Sequence, residues 1–358
     1  MPTYGRAPVE FVRGSGARLW DAEGREYVDL FAGLSVHNAG HCHPRIVAAI
    51  RAQAERLATS SLGGKVFLTN SGAEANECAL KLARKRAHAR GIAQPEVVVL
   101  DGAFHGRTLG TLAATPRLAR DDLFGPLPAG FVPVPRDDPD AMRAAVGERT
   151  AAVLLEPIQG EVGVFCIADE VLLAAREACE ESGALLIFDE VQTGMGRTGS
   201  MWAYEQLPVR PDVMTAAKAL GGGLPVGACV ASPGHGDVLA RGDHGSTFAG
   251  APIAAAAALA ALEVIDDAEL LRTVRELGAL LGSGLASLDG VVEVRGRGLM
   301  VGLSVGEGID AAEVARRALD AGAVINVPGP GMLRLLPPLT IGEEEVEFAL
   351  DVLRNALG

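Results

Sequence analysis

Short apolar runs alternate with amphipathic stretches through the middle of the chain. The runs are rich in β-branched residues and predict strands, whereas the stretches between them have the periodicity of helices. Continuous apolar strands separated by helices favour the α/β class, with a parallel or mixed sheet covered on both faces. The predicted strands are VFLT after Lys65, VVVL from Val97, AAVLL from Ala151, LLIF from Leu185, VMTAA from Val213 and GACVA from Gly227.

Two helices in this region have clear ends. In the helix predicted for residues 74–90, the acidic Glu74 and Glu77 occupy the first turn and basic residues follow, as the helix dipole favours. A second helix, around residues 171–181, ends at Gly183. Ligands in such folds collect where strands end and helices begin, so these loops are the first candidates for chemistry.

From about Val291 the pattern changes to short strands with Gly or Pro turns, mixed with helices near residues 310–321 and 343–357. This mixture predicts a smaller α+β domain. The expected parts are an N-terminal segment packing with the small domain (1–60), a large domain (61–262) and the small C-terminal domain (263–358).

The composition is typical of a globular protein of about two domains, with 358 residues, 49 % apolar and 22 % charged. The net charge is −13 and no basic run could follow a phosphate backbone, so no nucleic-acid partner is expected. The longest stretch without charge or histidine, residues 245–262, is mostly alanine. It predicts a loop followed by a buried helix, and no membrane partner is expected.

The cysteines are five, odd in number and without CxxC spacing, which favours a reducing compartment. The N-terminus lacks the apolar segment of a signal peptide, so we expect a cytoplasmic protein. His41, Cys42 and His43 are adjacent, but their side chains diverge and no carboxylate cluster accompanies them. We therefore expect no metal site.

A candidate anion site lies at Ser71-Gly72-Ala73, between a predicted strand and the first predicted helix. Backbone N–H groups at a helix start, with a hydroxyl and a glycine for close approach, bind anions. The same residues also make an ordinary N-cap and turn. The motif alone leaves both interpretations open.

Two candidate chemical groups follow apolar strands. Asp189 ends such a run, where a buried carboxylate is costly unless it meets a cation or strong donors. Lys218, one of only four lysines, lies between a strand and three glycines. Arginine cannot replace an amine nucleophile. An exposed carboxylate and a surface lysine remain the alternatives.

Six motifs follow one another along the chain: SGAEANE from Ser71, FHGRT from Phe104, EPIQGE from Glu156, DEVQTG from Asp189, AKALGGG from Ala217 and HGSTF from His244. In this order they resemble the class III aminotransferases, which use pyridoxal 5'-phosphate (PLP). The likeness extends from Tyr4 to Leu339, nearly the whole chain. It implies PLP fold type I, with a mostly parallel central sheet covered by helices, and it makes the large domain the PLP-binding one.

The resemblance also implies how the cofactor is held. Lys218 would bind PLP covalently and move the substrate proton, while Asp189 would pair with the pyridinium nitrogen. Ser71, Gly72 and Ala73 would bind the phosphate.

Further contacts follow from the same resemblance. Gln192 would bond the ring hydroxyl, and Val191 and Phe104 would pack on the two ring faces. Thr247 would reach the phosphate of the neighbouring subunit, which implies a homodimer with shared active sites.

For the substrates, the resemblance implies amino-group transfer from N-acetylornithine to 2-oxoglutarate, giving glutamate, in arginine biosynthesis. Arg334 would bind the α-carboxylate of glutamate, and Glu161 would cover Arg334 when the diamine substrate is bound. Arg107 would receive the second carboxylate. Two arginines facing a dicarboxylate are what the glutamate/2-oxoglutarate couple requires.

The chain departs from the family pattern in two places. Between Ser60 and Lys65 the family carries about a turn of substrate loop and a helix more, so a true deletion and an omission from the sequence are both open. Ala251 replaces a helix-capping asparagine, which should affect stability more than chemistry.

Several alternatives therefore stay open. Within the class, the amino donor could be ornithine, 4-aminobutyrate, succinyl-diaminopimelate or a lysine-pathway compound. Outside it, the chain could be a PLP-fold protein without turnover.

Overall fold

The structure is a computed structural model that describes residues 9–32, 37–46, 48, 66–116 and 123–358. The motif at Tyr4, the expected boundary at residue 60 and the short segment before Lys65 lie outside these residues.

A seven-stranded sheet forms the centre of the fold. Neighbouring strands of this sheet pair in parallel except at β12 (Gly227–Ala231), which runs antiparallel to both β11 (Val213–Ala216) and β4 (Val66–Thr69). The predicted mostly parallel sheet is confirmed. In spatial order the strands are β4 (Val66–Thr69), β12 (Gly227–Ala231), β11 (Val213–Ala216), β10 (Leu185–Asp189), β7 (Thr150–Leu155), β5 (Glu96–Leu100) and β6 (Phe131–Val134).

The described α-helices follow in chain order. They are α1 (Gly72–Ala89), α2 (Leu109–Ala113), α3 (Pro139–Ala145), α4 (Asp169–Ser182), α5 (Pro252–Ile265), α6 (Ala268–Ala286), α7 (Ala311–Asp320) and α8 (Glu343–Leu357). Short 3-10 turns occupy Ala203–Gln206, Lys218–Gly221 and Gly236–Val238.

Helices cover both faces of the central sheet, and β5 shows why. Its Val97 and Val99 are buried in one core with residues of α1, while Val98 and Leu100 are buried in another with residues of α3 and α4. Side chains alternate along a strand, so a continuously apolar strand needs cover on both sides. Helix α4 ends as expected at Gly183, which has a φ of 71°.

Three smaller sheets complete the part of the fold that the structure describes, and one of them joins an N-terminal and a C-terminal segment. In that sheet β15, near the C-terminal end of the chain, pairs in parallel with β3. The strands are β1 (Phe11–Ser15), β2 (Arg18–Asp21), β3 (Glu26–Asp29) and β15 (Ala323–Val324) in the first sheet, β13 (Val291–Arg297), β14 (Met300–Val305), β17 (Met332–Leu335) and β16 (Asn326–Gly329) in the second, and β8 (Ile158–Gln159) and β9 (Phe165–Cys166) in the third.

The N-terminal strands share a buried core with the C-terminal helices. Val28 and Leu30 belong to the same cluster as Val346 and Leu353 of α8. This packing supports the expected N-terminal segment, and the three-part division stays a prediction. The short α3 and the long α6 were not predicted.

Candidate active site

A cavity of about 630 Å³ opens where several central strands end. Ten of the twelve predicted site residues line it: Ser71, Gly72, Ala73, Phe104, Arg107, Glu161, Asp189, Val191, Gln192 and Lys218. Arg334 lies behind this wall and contacts two of its members. Thr247 is exposed and does not line the cavity of its own chain.

The start of α1 forms one wall. Ser71 is the N-cap, and its hydroxyl accepts a hydrogen bond from the backbone N–H of Glu74 at 3.2 Å. The first N–H groups of an 18-residue helix then face the cavity without intrahelical partners. A Cβ on Gly72 would come within 2.9 Å of the Val191 side chain, so this position requires glycine. Val191 is thereby packed against the turn at the start of α1.

Asp189 is buried at the carboxyl end of β10 and is held by three donors. Its Oδ2 accepts from Asn76 Nδ2 at 2.7 Å and lies 2.8 Å from His105 Nδ1. Since a carboxylate only accepts, the imidazole donates through Nδ1. Oδ1 accepts the backbone N–H of Val191 at 3.1 Å. Of the two alternatives for Asp189, a buried carboxyl group that meets strong donors is therefore correct, and an exposed one is wrong.

Sequence reasoning did not assign roles to these supporting residues. Asn76 lies one turn into α1, and its Oδ1 accepts from Thr215 Oγ1 at 2.7 Å. Its amide also donates to the backbone oxygen of His105 at 2.8 Å. The Nε2 of His105 is buried and has no hydrogen-bond partner among the described residues. Asn76 belongs to the motif SGAEANE and His105 to the motif FHGRT. Their place in these motifs was the signal that the sequence offered for them.

Lys218 opens the 3-10 turn after β11 and lines the cavity. Its φ is 49°, a left-handed conformation that costs a non-glycine residue of order 1 kcal/mol or more and is frequent at active sites. In the described part of the chain its amine has no hydrogen-bond or ion-pair partner. Burial lowers the pKa of Lys218, against the opposing charges of Glu161 and Asp189. A lowered pKa increases the neutral, nucleophilic fraction of the amine.

A second buried carboxylate, Glu156, lines the cavity beside Asp189 and was not assigned a role. Its Oε2 accepts the backbone N–H of Phe104 at 3.2 Å. Burial, and then the charge of Asp189, raises the pKa of Glu156 well above its usual value. Both causes disfavour the charged form of Glu156, and the hydrogen bond ties the Phe104 backbone to the cavity wall.

Arg334 is 1 % exposed and forms a polar cluster with the opposite wall. Its Nη1 donates to Glu161 Oε1 at 2.9 Å and to Gln192 Oε1 at 3.4 Å. Asn326 Oδ1 accepts from its Nε and Nη2. Burial raises the pKa of Glu161, but the charge and hydrogen bond of Arg334 outweigh it, so the net pKa is lowered. Glu161 is therefore an ionised partner of the arginine.

Arg107 marks the other end of the site. Its guanidinium carbon lies 5.7 Å from the ring centre of Phe104. A side cavity of about 90 Å³ continues between these residues, Glu161 and Pro328. The site thus has one arginine at its exposed end and one buried arginine at its inner end.

Among the described residues, no group of three or more His, Cys, Asp or Glu side chains could hold a metal ion. His41, from the motif considered above, pairs with Asp29 at 2.6 Å. No described helix is both long and apolar enough to span a membrane.

Comparison with known proteins gives consistent matches. The family model for class III aminotransferases matches residues 2–357. The acetylornithine aminotransferase of Caldanaerobacter subterraneus subsp. tengcongensis is 44 % identical over 381 aligned residues, covering 100 % of this chain and 96 % of the relative. That alignment is longer than this chain of 358 residues, so the relative carries residues that this sequence lacks.

Two solved structures have the same fold. The acetylornithine aminotransferase of Elizabethkingia anophelis superposes with a TM-score of 0.88 at 35 % identity, covering 100 % of this chain and 96 % of that one. The ornithine aminotransferase of Toxoplasma gondii is described with PLP at partial occupancy in its active site. It superposes with a TM-score of 0.93 at 35 % identity, covering 99 % of this chain and 90 % of that one. The chain therefore belongs to the class III aminotransferases and is a PLP-dependent transaminase of fold type I, as the motifs predicted.

Proposed function

We propose that the chain transfers the amino group of N-acetylornithine to 2-oxoglutarate, forming N-acetylglutamate semialdehyde and glutamate. This proposal rests mainly on the buried Arg334, whose carboxylate partner Glu161 lies on the wall of the cavity that contains Lys218. Such a pair lets one site accept both a substrate with a carboxylate beside the reacting amine and one without it. The 44 % identity to an acetylornithine aminotransferase supports the same substrate.

The residues around the cavity fit PLP group by group. The N-terminus of α1 suits a phosphate, which the N–H groups of Gly72 and Ala73 would bind with Ser71. Asp189 would hold a proton on the ring nitrogen, because its carboxyl group is buried and kept in place by Asn76 and His105. Lys218 supplies the amine for covalent attachment.

Three more residues would fix the ring. Val191 and Phe104 would pack on its faces, and Gln192 would bond its hydroxyl while remaining in contact with Arg334. When bound, PLP supplies the electron sink for removal of the proton from the amine-bearing carbon. The amine of Lys218 would accept that proton and later donate it again, for which a lowered pKa is suitable.

The two arginines orient the substrates. With glutamate or 2-oxoglutarate, Arg334 binds the carboxylate beside the reacting carbon and Arg107 the distal one. With N-acetylornithine, Arg107 binds its single carboxylate and Glu161 stays on Arg334. An unpaired buried cation beside an aliphatic chain would otherwise be costly.

We also propose a homodimer in which Thr247 reaches the partner's cofactor phosphate. Thr247 is exposed, and the neighbouring Phe248 is 71 % exposed. Asn70, beside the phosphate-binding turn, donates to Ser246 Oγ at 2.8 Å, so this segment is anchored next to the site. A role in arginine biosynthesis and a cytoplasmic location complete the proposal, supported by five unpaired cysteines.

Ornithine is the second candidate donor, because the ornithine aminotransferase of Toxoplasma gondii gives a TM-score of 0.93. Free ornithine would place a charged amine where an acyl group would otherwise lie. Holoenzyme incubated with 2-oxoglutarate and a panel of amino donors separates the two by glutamate formation. The expected donor is N-acetylornithine, with ornithine at least about tenfold lower in kcat/KM. Equal or greater use of ornithine would overturn the assignment, and no turnover with any donor would contradict the proposed function as a whole.

A further inference from the structure

Asn326 holds one edge of the buried Arg334 guanidinium. The two residues stand opposite each other in the antiparallel pair of β16 and β17. Asn326 Oδ1 accepts from Arg334 Nε at 3.0 Å and from Nη2 at 2.8 Å. One uncharged oxygen therefore occupies the Nε–Nη2 edge, and the strand register determines its place.

The remaining side of Arg334 has a different kind of partner. Nη1 pairs with Glu161, whose side chain is 31 % exposed, against 2 % for that of Arg334. Within the described residues, Glu161 is the carboxylate that forms an ion pair with this arginine. The contact with Asn326 is thus neutral and is fixed by the pairing of two strands. The charged contact with Glu161 lies on the cavity wall, where a substrate carboxylate can displace it.

We propose that Asn326 is a specificity-determining positioning residue, which orients Arg334 through an uncharged acceptor and leaves its charge to be shared between Glu161 and a substrate carboxylate. This inference rests on the proposed function, since only a site that alternates between glutamate and a second donor needs an arginine with a removable partner.

The chemistry of the alternatives explains why a neutral acceptor is required. A carboxylate at position 326 would form charge-assisted bonds about twice as strong as neutral ones, and it would neutralise Arg334 permanently. An apolar side chain there would leave buried N–H donors unpaired, which favours reorientation of the arginine. Only a neutral oxygen both satisfies these donors and preserves the cation.

The main test is Asn326→Asp, which changes the charge with almost no change in shape. In single-turnover measurements on the holoenzyme, we expect the rate constant for the glutamate half-reaction to fall about tenfold or more. The N-acetylornithine half-reaction should stay within about threefold. Asn355→Asp makes the same substitution on the exposed face of α8 and should leave both halves unchanged.

Binding measured without turnover supplies a second readout. Titration of the holoenzyme with glutarate, an unreactive dicarboxylate, should show a Kd raised about tenfold in Asn326→Asp but unchanged in the surface control Asn355→Asp. In an Arg334→Ala background, Asn326→Asp should have no further selective effect. If the aspartate variant does not fold, Asn326→Leu replaces it and should weaken glutarate binding about fivefold or more.

Two outcomes would overturn the inference: equal losses in both half-reactions in a variant of normal thermal stability, or no selective loss at all. Failure of the proposed function is distinguishable, because the wild type would then not react with N-acetylornithine. The comparison would in that case be made between glutamate and the donor that the wild type does use.

Discussion

Three hydrogen-bond donors hold the Asp189 carboxyl group in place, and this suggests a residue-scale test. In Asp189→Asn the single amide oxygen would be taken by Asn76 and His105, leaving an NH₂ group that cannot accept from a protonated ring nitrogen. We expect turnover to fall by about a thousandfold or more, or about 4 kcal/mol of barrier, at about 1.4 kcal/mol per tenfold.

Two measurements on the Asp189→Asn protein, its thermal unfolding and its PLP content, serve as controls. Thermal unfolding should remain cooperative, with a loss of about 1–3 kcal/mol, since the substitution keeps the shape of the side chain but leaves the backbone N–H of Val191 without its acceptor. PLP content, measured by absorbance after release, should remain close to the wild-type value. Turnover near the wild-type level in a loaded Asp189→Asn protein would refute the proposed role.

Lys218 provides the second prediction at this scale. Replacement by alanine should remove the visible absorbance of covalently attached PLP and abolish transamination, since the amine is the proposed attachment point. Borohydride reduction of the wild type followed by peptide mass spectrometry should place the cofactor on this residue. Lys81 is an internal control, because it bonds to the backbone of Asp243 on the surface. Cofactor attached to Lys81 instead would contradict the assignment.

The Arg334–Glu161 pair predicts opposite preferences for two variants. Glu161→Gln removes the charge that covers the arginine, so glutamate should be favoured over N-acetylornithine by about tenfold. Arg334→Ala should mainly impair the glutamate/2-oxoglutarate half-reaction. Single-turnover kinetics of each half measure both effects. Equal losses in both halves for both variants would contradict the exchange, while leaving the cofactor assignment untouched.

At the scale of elements, helix α5 begins without a side-chain cap. Its N-cap is Ala251, with extended ψ and no side-chain hydrogen bond to the first turn. An asparagine there could accept from a free N–H of that turn, so Ala251→Asn should stabilise the protein by about 1 kcal/mol. For a chain of this size the midpoint of thermal unfolding should rise by about 2–4 °C.

A matched substitution separates capping from a general effect of asparagine. Ala279 is exposed in the middle of α6, where asparagine lacks a free N–H to bond and has lower helix propensity than alanine. Ala279→Asn should therefore destabilise the protein by about 0.5 kcal/mol. If the midpoints of thermal unfolding of both variants shift in the same direction, the missing cap does not limit the stability of α5.

At the scale of the whole molecule, the exposed side of α5 indicates an interface. The helix is apolar almost all round: Ala257 and Ala261 face the core, but Leu259 is 58 % and Ile253 41 % exposed. The expectation of a buried helix thus holds for only one side within a single chain. A helix apolar on all sides is stable in water only when both sides are covered. The proposed homodimer would cover the second side.

Leu259→Glu tests that interface. Losing the burial of two symmetric leucines costs about 3 kcal/mol or more per dimer, so the dissociation constant should rise more than about a hundredfold. Light scattering should show monomers at micromolar concentration, with loss of activity. Leu173→Glu, at an exposed leucine on α4, is the control and should remain dimeric. A dimeric Leu259→Glu protein would exclude this face.

The sequence by itself determined the parts of the protein whose signals are local. Apolar runs predicted six of the seven central strands, all except β6, and Gly183 predicted the end of α4, because strand patterning and helix termination depend on neighbouring residues. The same holds for the Ser71 turn and for Lys218 after its strand. The ordered motifs then specified the family, and with it the expected cofactor.

Only the tertiary structure decided which distant residues support those groups. Asn76 meets Asp189 across 113 positions and Thr215 across 139. Asn326 meets Arg334 through the register of two antiparallel strands. The unpredicted α6 completes the core shared by both ends of the chain. These contacts depend on strand order and packing, which are properties of the whole chain and leave no pattern in any local window of sequence.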